Sequence, residues 1–573
     1  MIDLLIFALT LFSKYILMFS FFLLIGRSFV MFVDNYLLKH TPKRDVILGT
    51  RAEIIYPLIG LAITGNLLIF LNYFVELKNP IIYFFLVIAL VPNLLSLRVL
   101  TLNIANILNT QNIFLYLIIP GILLISSSDI NFHYDAAYYH LNHQNWLRES
   151  NLIVGTVNIF WPFGMSSIFE YLSSILWVGE SLIYLHFLNI TFIHVFFSFI
   201  FYHLHNSENR NLKNASWFLL LFSVLDNFGI SGGRNGFIYI QEIGKQDTAV
   251  ATLFCLLSIL LLDKIQKKNS NKPDFVYLSI LVFFIFEIKV SGVIIFVLYF
   301  IYLYGLIVNS NFKIKHILYL QLPTIFFGLI WSIKSILTTG CLIFPLSFTC
   351  NENFWWYEQG STERVEEYTT ATSFSYMEYF TSRDLNFFNW VQDFFFSDSN
   401  STFSNFYLSV YTNFLISLLI LYIVKITLFT KSNVSIRFKG IIFSYALLGV
   451  MYLLFYGPIP RYSMGILCTI ICTFGFFTET TKIKTPKYLG KILFLAAISL
   501  FPRVSSYQNF INNKDINLFD PRVESQYIDI STNNDWVKPD SGDRCWINLN
   551  CTMEEKKIIV NDDGYFKFAY KEE

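Results

Sequence analysis

Charge is what this sequence has least of: Lys+Arg 41 and Asp+Glu 40 make up only 14 % of its 573 residues. A soluble globular chain carries nearer a quarter, so the soluble class is excluded. Neither sign is in excess, the net charge being +1, and this excludes a nucleic-acid binder. Cysteine is scarce, seven residues without a CxxC, which argues against a thiolate metal site. A cleaved leader is not expected either, because no basic stretch precedes the first apolar run and no small-residue cleavage site follows it. What is abundant is apolar side chains, 55 % of the chain, and they are collected in runs.

A membrane span needs about 20 apolar residues. The runs predict spans near 4–33, 54–75, 81–100, 112–127, 181–203, 214–230, 245–263, 275–289, 290–308, 316–338, 406–429, 438–456, 461–479 and 487–503. The expected class is an all-α polytopic membrane protein with about 12–14 transmembrane helices. Lys and Arg in the short loops give the orientation. Lys39, Lys43, Arg44, Lys264, Lys267, Lys268, Lys431, Arg437 and Lys482 belong to one set of loops, predicted cytoplasmic. The other side carries long aromatic loops, 129–165 with Arg148 alone and 339–405 with Arg364 and Arg383 alone. Residues 1–503 then form the transmembrane domain and 504–573 a small segment on the outer side. Parity requires 164–178 to be a half-helix or surface helix on that side. Cys341/Cys350 and Cys545/Cys551 become disulfide candidates if their stretches face an oxidising compartment. Cys255, Cys468 and Cys472 read as small buried hydrophobes.

Candidate chemistry gathers on the outer side. The first loop reads Tyr134-Asp135-Ala136-Ala137-Tyr138-Tyr139-His140-Leu141, followed by Trp146, Arg148 and Glu149. Asp135 shares an α-helical face with Tyr138 and Tyr139, and His140 falls at i+5. A carboxylate in an aromatic, partly dry setting is suited to take a proton from a hydroxyl. An interfacial amphipathic helix is the rival reading. Ser231-Gly232-Gly233-Arg234-Asn235-Gly236 is either an anion-binding loop or a plain turn, and Lys245 and Asp247 follow at a span entrance. Glu287 and Lys289 interrupt the apolar stretch 275–308, which predicts a hairpin broken at Glu287–Gly292. Pro458 and Pro460 fix the backbone beside Arg461 and Tyr462, where an Arg either grips a phosphate or snorkels to the interface. The tail 504–573, with Trp536, Trp546 and β-like runs such as Ile558-Ile559-Val560, is expected to cap the 339–405 loop and its Trp355, Trp356 and Trp390.

Asp135 in the first outer loop, the many spans and the late Pro460-Arg461-Tyr462 together resemble the C-type (GT-C) superfamily of integral-membrane glycosyltransferases. More closely, the chain is similar to a group of uncharacterised bacterial membrane proteins with a Tyr-Asp-x-x-x-Tyr-His-Leu loop, an Ile288-Lys289-Val290-Ser291-Gly292 element and a Gly340–Cys350 stretch. The pattern covers roughly residues 120–465. The resemblance implies transfer of a sugar from a polyprenyl-phosphate donor to a cell-envelope glycan, lipid or protein acceptor, with inversion, on the outer face of a bacterial inner membrane. On that reading Asp135 is the base and His140 orients it or meets the acceptor. Lys289 and Arg461 hold the donor phosphate, and Tyr138, Tyr139, Glu149, Arg234, Lys245, Asp247 and Tyr462 complete the substrate site. The superfamily often pairs two acids in this loop, whereas Tyr134 precedes Asp135 here. No metal ligand is therefore assigned, and a divalent cation, Mg²⁺ or Mn²⁺, stays open as a cofactor. The alternatives are a lipid-linked oligosaccharide flippase or transporter and an O-antigen-type polymerase. A transporter is expected to show internal repeats, which the sequence lacks.

Overall fold

In the computed structural model, the structure describes residues 2–38, 45–95, 109–179, 181–206, 208–228, 238–267, 272–309, 313–374, 402–456, 459–481, 489–512, 527–530, 533–554, 556–561, 564 and 566–572. Among these, nine helices are long and apolar enough to cross a membrane: Ile2–Leu37, Ala52–Asn72, Thr110–Ser128, Ile183–His205, Asp247–Lys267, Val290–Val308, Leu322–Thr339, Leu408–Leu428 and Ile436–Phe455. Shorter apolar helices lie at Pro80–Asn93, Gly465–Phe476 and Gly490–Ser499. With Arg210–Phe228 and Lys272–Ile288, a helix stands on each of the fourteen stretches the apolar runs mark. The protein is a polytopic helical membrane protein.

Helices that are apolar on every face belong inside a bundle. Ile183–Asn206 and Asp247–Lys267 are enclosed on almost all sides, whereas Ile436–Tyr456 and Thr402–Leu428 expose Leu415, Leu419, Phe443 and Phe455. The first two helices touch backbone to backbone: a Cβ on Gly26 would lie 1.9 Å from the Tyr56 carbonyl oxygen, and one on Gly60 1.8 Å from that of Phe22. Dispersion and close approach, not hydrophobic exclusion, hold helices together in lipid, and small residues permit it.

The loops sort to two ends. At one end the strand pair Val46–Ile47/Thr50–Arg51 meets Asp274, which accepts from the Leu48 N–H at 3.0 Å and pairs with Lys264 at 2.5 Å. Nearby, Arg210 pairs with Glu479 at 3.0 Å, beside the strand pair Phe429–Lys431/Thr478–Thr481. These are the stretches that carry the basic loops. At the other end lie helix Leu141–Glu149, the seven-residue helix Ile168–Ser174, the Lys289 break and the tail. Ile168–Ser174 is the expected half-helix, but it is not on the surface. All seven of its residues are buried.

Among its described residues the tail holds one helix, Val504–Asn512, and four strands. Lys567–Lys571 pairs in parallel with Ile153–Val154 of the first loop and antiparallel with Ile558–Asn561. Tyr527–Ile530 and Asn533–Pro539 form a hairpin. Disulfides join Cys341 to Cys350 and Cys545 to Cys551. Trp355 packs on Phe568 and Tyr570 at 5.2 and 5.4 Å between ring centroids, so the tail does touch the 339–405 loop. Its firmer grip is elsewhere, on the first loop. The Trp546 N–H donates to the Ala137 carbonyl at 2.9 Å, Asn145 Nδ2 to that of Ile547 at 2.9 Å, and Thr552 Oγ1 to that of Ile159 at 2.6 Å. Trp390 lies outside the described residues.

Candidate functional site

A cavity of about 230 Å³ opens at the tail-bearing end. Its lining includes Asp135, Tyr139, His140, Lys245, Asp247 and Lys289, six of the residues singled out from sequence, brought together from three separate stretches. Their convergence has local causes. Lys272–Ile288 ends, Lys289 is extended (φ −156°, ψ 124°) and a tight turn over Val290–Ile294 restarts the next helix. The lysine thus emerges at a helix break instead of facing lipid. Gly244 sits at φ +90°, where L side chains rarely go, and a Cβ there would lie 2.6 Å from Ala136 Cβ. That glycine lets the strand-like contact of Ile243 with Asn131 and His133 close, which delivers Lys245 to Asp135. Ala136–His140 is a π-helical turn in which the Leu141 N–H bonds the Ala136 carbonyl five residues back. An i→i+5 turn swings position 140 toward the side that holds 135; an α-helical turn of 3.6 residues would not. So both Asp135 and His140 reach the cavity.

The charges are mostly paired. Lys245 Nζ lies 2.7 Å from Asp135 Oδ2, His133 Nδ1 is 3.5 Å from the same oxygen, and Lys289 bonds Asp247. Burial pushes the Asp135 carboxyl upward, but the Lys245 charge and hydrogen bond outweigh it and hold Asp135 below the ordinary carboxylate range. A depressed carboxyl is a weaker base than the sequence reading requires.

Two charged residues of this site escaped the sequence reading. Glu170, 3 % exposed, lies behind His140 and accepts three bonds: from His140 Nδ1 at 2.5 Å, Gln144 Nε2 at 2.8 Å and Gln246 Nε2 at 2.8 Å. Burial opposes its charge, yet His140 and these bonds win and lower its proton affinity. Lys334 is buried in the cavity wall, donates to the Ser166 carbonyl and lies 4.4 Å over the Trp331 ring. It has no carboxylate in ion-pair contact among the described residues. The signal was present in both cases, a lone charge inside an apolar or small-residue run, the pattern that marks functional candidates in membranes.

Other expected site residues fall elsewhere. Tyr138 packs edge-on against Phe160 at 5.0 Å and does not line the cavity. Glu149, at the far end of its helix, pairs with Lys78. Arg234 lies outside the described residues, and so do the side chains of Arg461 and Tyr462, which open helix Pro460–Phe476. Asp135 and Asp247 each hold a lysine, and among the described residues no three His, Cys, Asp or Glu side chains gather to hold a metal. This donor set does not fit Mg²⁺ or Mn²⁺, which favour carboxylates free to ligate.

Fold and cavity define a multi-pass helical membrane protein with a lysine- and carboxylate-lined chamber at one end of the bundle. The chain belongs to a family described as a domain of unknown function (DUF8201), whose model matches residues 8–468. No curated protein and no solved structure matches it.

Proposed function

We propose that the protein is a GT-C-like membrane glycosyltransferase that moves a sugar from a polyprenyl-phosphate donor to an envelope acceptor. The observation that carries this reading is the composition of the cavity. Lys245, Lys289 and Lys334 line it beside an apolar wall of Phe286, Trp331, Ile343 and Phe344. Cations next to an apolar surface suit a lipid phosphate: the chain is held by the wall, and the charge that grows on the leaving phosphate is balanced by fixed ammonium groups. Asp135, expected as the base, is bonded to Lys245. Its first task in this reading is to store that lysine until an incoming phosphate draws it away. Arg461 keeps its expected part at the donor phosphate. The basic loops face the cytoplasm in this reading, the cavity and tail face outward, and no step runs through a metal.

Reconstitution tests it. Purified protein in liposomes, given a radiolabelled polyprenyl-phosphate sugar and an envelope fraction, is expected to label the acceptor. Consumption of a lipid-diphosphate oligosaccharide instead would indicate a polymerase, and label that crosses the bilayer without changing its chemical form a flippase. Either result replaces this proposal.

A further inference from the structure

The hydrogen-bond network behind His140 has a readable direction. An indole N–H only donates, so Trp177 Nε1, 3.0 Å from Gln144 Oε1, fixes which end of that amide is oxygen. Gln144 Nε2 must then face Glu170 as a donor. Gln246 Nε2 also donates to Glu170 at 2.8 Å, and Ser167 Oγ lies 3.1 Å from Gln246 Oε1. Glu170 is thus an acceptor on every side. A carboxylate surrounded by donors accepts the hydrogen bond of the His140 Nδ1–H, so in the neutral ring Nε2 is the nitrogen without a proton. No side chain among the described residues hydrogen-bonds Nε2, and His140 lines the cavity.

We infer that His140, held by Glu170, is the group that accepts the acceptor hydroxyl's proton. This rests on the glycosyltransferase reading and departs from it at one residue, since Asp135 is occupied by Lys245. In the step, the acceptor oxygen forms a bond to the sugar's anomeric carbon while the bond from that carbon to the phosphate oxygen breaks. The phosphate leaves with the bonding pair, and the hydroxyl proton goes to Nε2. The imidazolium so formed lies against the Glu170 carboxylate and returns its proton to water between turnovers. Glu170 is a positioning residue: it touches no substrate and sets the tautomer. Glu170, Asp135, His133 and His143 act on His140 electrostatically, and Lys245, Asp247, Glu287, Lys289 and Lys334 share its cavity. Of these, His143 stays neutral, because burial pushes it down to about 3.

The test uses the full chain in liposomes and has two arms. In the transfer arm, His140→Asn is expected to lower the rate about 100-fold or more. Glu170→Gln is expected to lower it comparably, since its amide donates to Nδ1 and drives the proton onto Nε2. Glu170→Asp recovers part of the rate with its acid limb displaced from that of wild type. The second arm needs no sugar. Diethyl pyrocarbonate acylates a bare imidazole nitrogen, and mass spectrometry is expected to find His140 modified at least tenfold faster in wild type than in Glu170→Gln. Transfer by His140→Asn within threefold of wild type overturns the inference and leaves the transferase standing. Equal acylation in wild type and Glu170→Gln overturns the tautomer argument, and with it the inference. If wild type transfers no sugar, the proposed function and the proton step fall together, and fast acylation of His140 then identifies the reaction as the part misread.

Discussion

Asp135 and Glu170 are two carboxylates at the same cavity, and they spend their charge on different partners. Asp135 is a quarter exposed and holds an ammonium group, Lys245. Glu170 is closed off and holds an imidazole and two amides. The lysine partner neutralises a carboxylate and makes it a weaker base. The imidazole partner turns a carboxylate into the support of a base. Net charge at a site therefore says less about proton transfer than the identity of each contact.

The largest expected effect breaks that comparison at its centre. His140→Asn is predicted to lower transfer by about two to four orders of magnitude, and Asp135→Asn by about tenfold, the latter mainly as a raised donor requirement. Rates measured against donor concentration decide: equal losses in kcat from both variants would return the base to Asp135, as the sequence alone suggests. Next come the cations. Lys289→Met and Lys334→Met are each expected to raise the donor requirement about tenfold while leaving membrane insertion intact, read from titrations with the lipid-phosphate donor. Lys334→Met with an unchanged donor requirement would make that lysine a packing residue.

Smaller effects sharpen the contrast by stability. The Cys545–Cys551 loop presents the Trp546 N–H to Ala137, between Asp135 and His140. Removal of that disulfide with Cys545→Ser/Cys551→Ser is expected to cost about 2 kcal/mol and lower the unfolding midpoint by a few degrees. Acid separates the last pair. His143 is uncharged in the folded protein down to about 3, against an ordinary value of 6.5. Below 6.5 the unfolded chain binds a proton that the folded one refuses, so stability is lost progressively as pH falls from 6.5 toward 3. Asp135, depressed from its ordinary 3.8, contributes stability that is present above 3.8 and lost only as pH falls through its lower folded value. Thermal unfolding in detergent is therefore expected to weaken from pH 6.5 downward in wild type and less so in His143→Gln, with Asp135→Asn lowering the curve by a constant amount above about 4 and meeting that of wild type in stronger acid.

The sequence by itself determined the spans, the break at Lys289 and the sorting of loops to two ends. Apolar run length and the placement of Lys and Arg are one-dimensional quantities, and a bilayer reads them directly. It also marked Asp135, Lys245, Asp247 and Lys289, because a charge beside an apolar run costs free energy wherever the chain puts it. The close spacing of Cys545 and Cys551 was legible for the same reason: a sequence separation of 6 limits how far the two ends part. Only the tertiary structure decided which charge meets which. Lys245 takes Asp135, 110 residues away, although Asp247 is its near neighbour in sequence. Glu170 reaches His140 because Ile168–Ser174 is packed inside the bundle; the lone carboxylate in that run marks a candidate, but not the partner it meets. The π-helical turn at Ala136–His140 depends on a single shifted hydrogen bond, which no period in the sequence encodes. Ion pairs and hydrogen bonds are set within a few tenths of an ångström by the packing of distant helices, and that distance is the quantity a linear sequence does not carry.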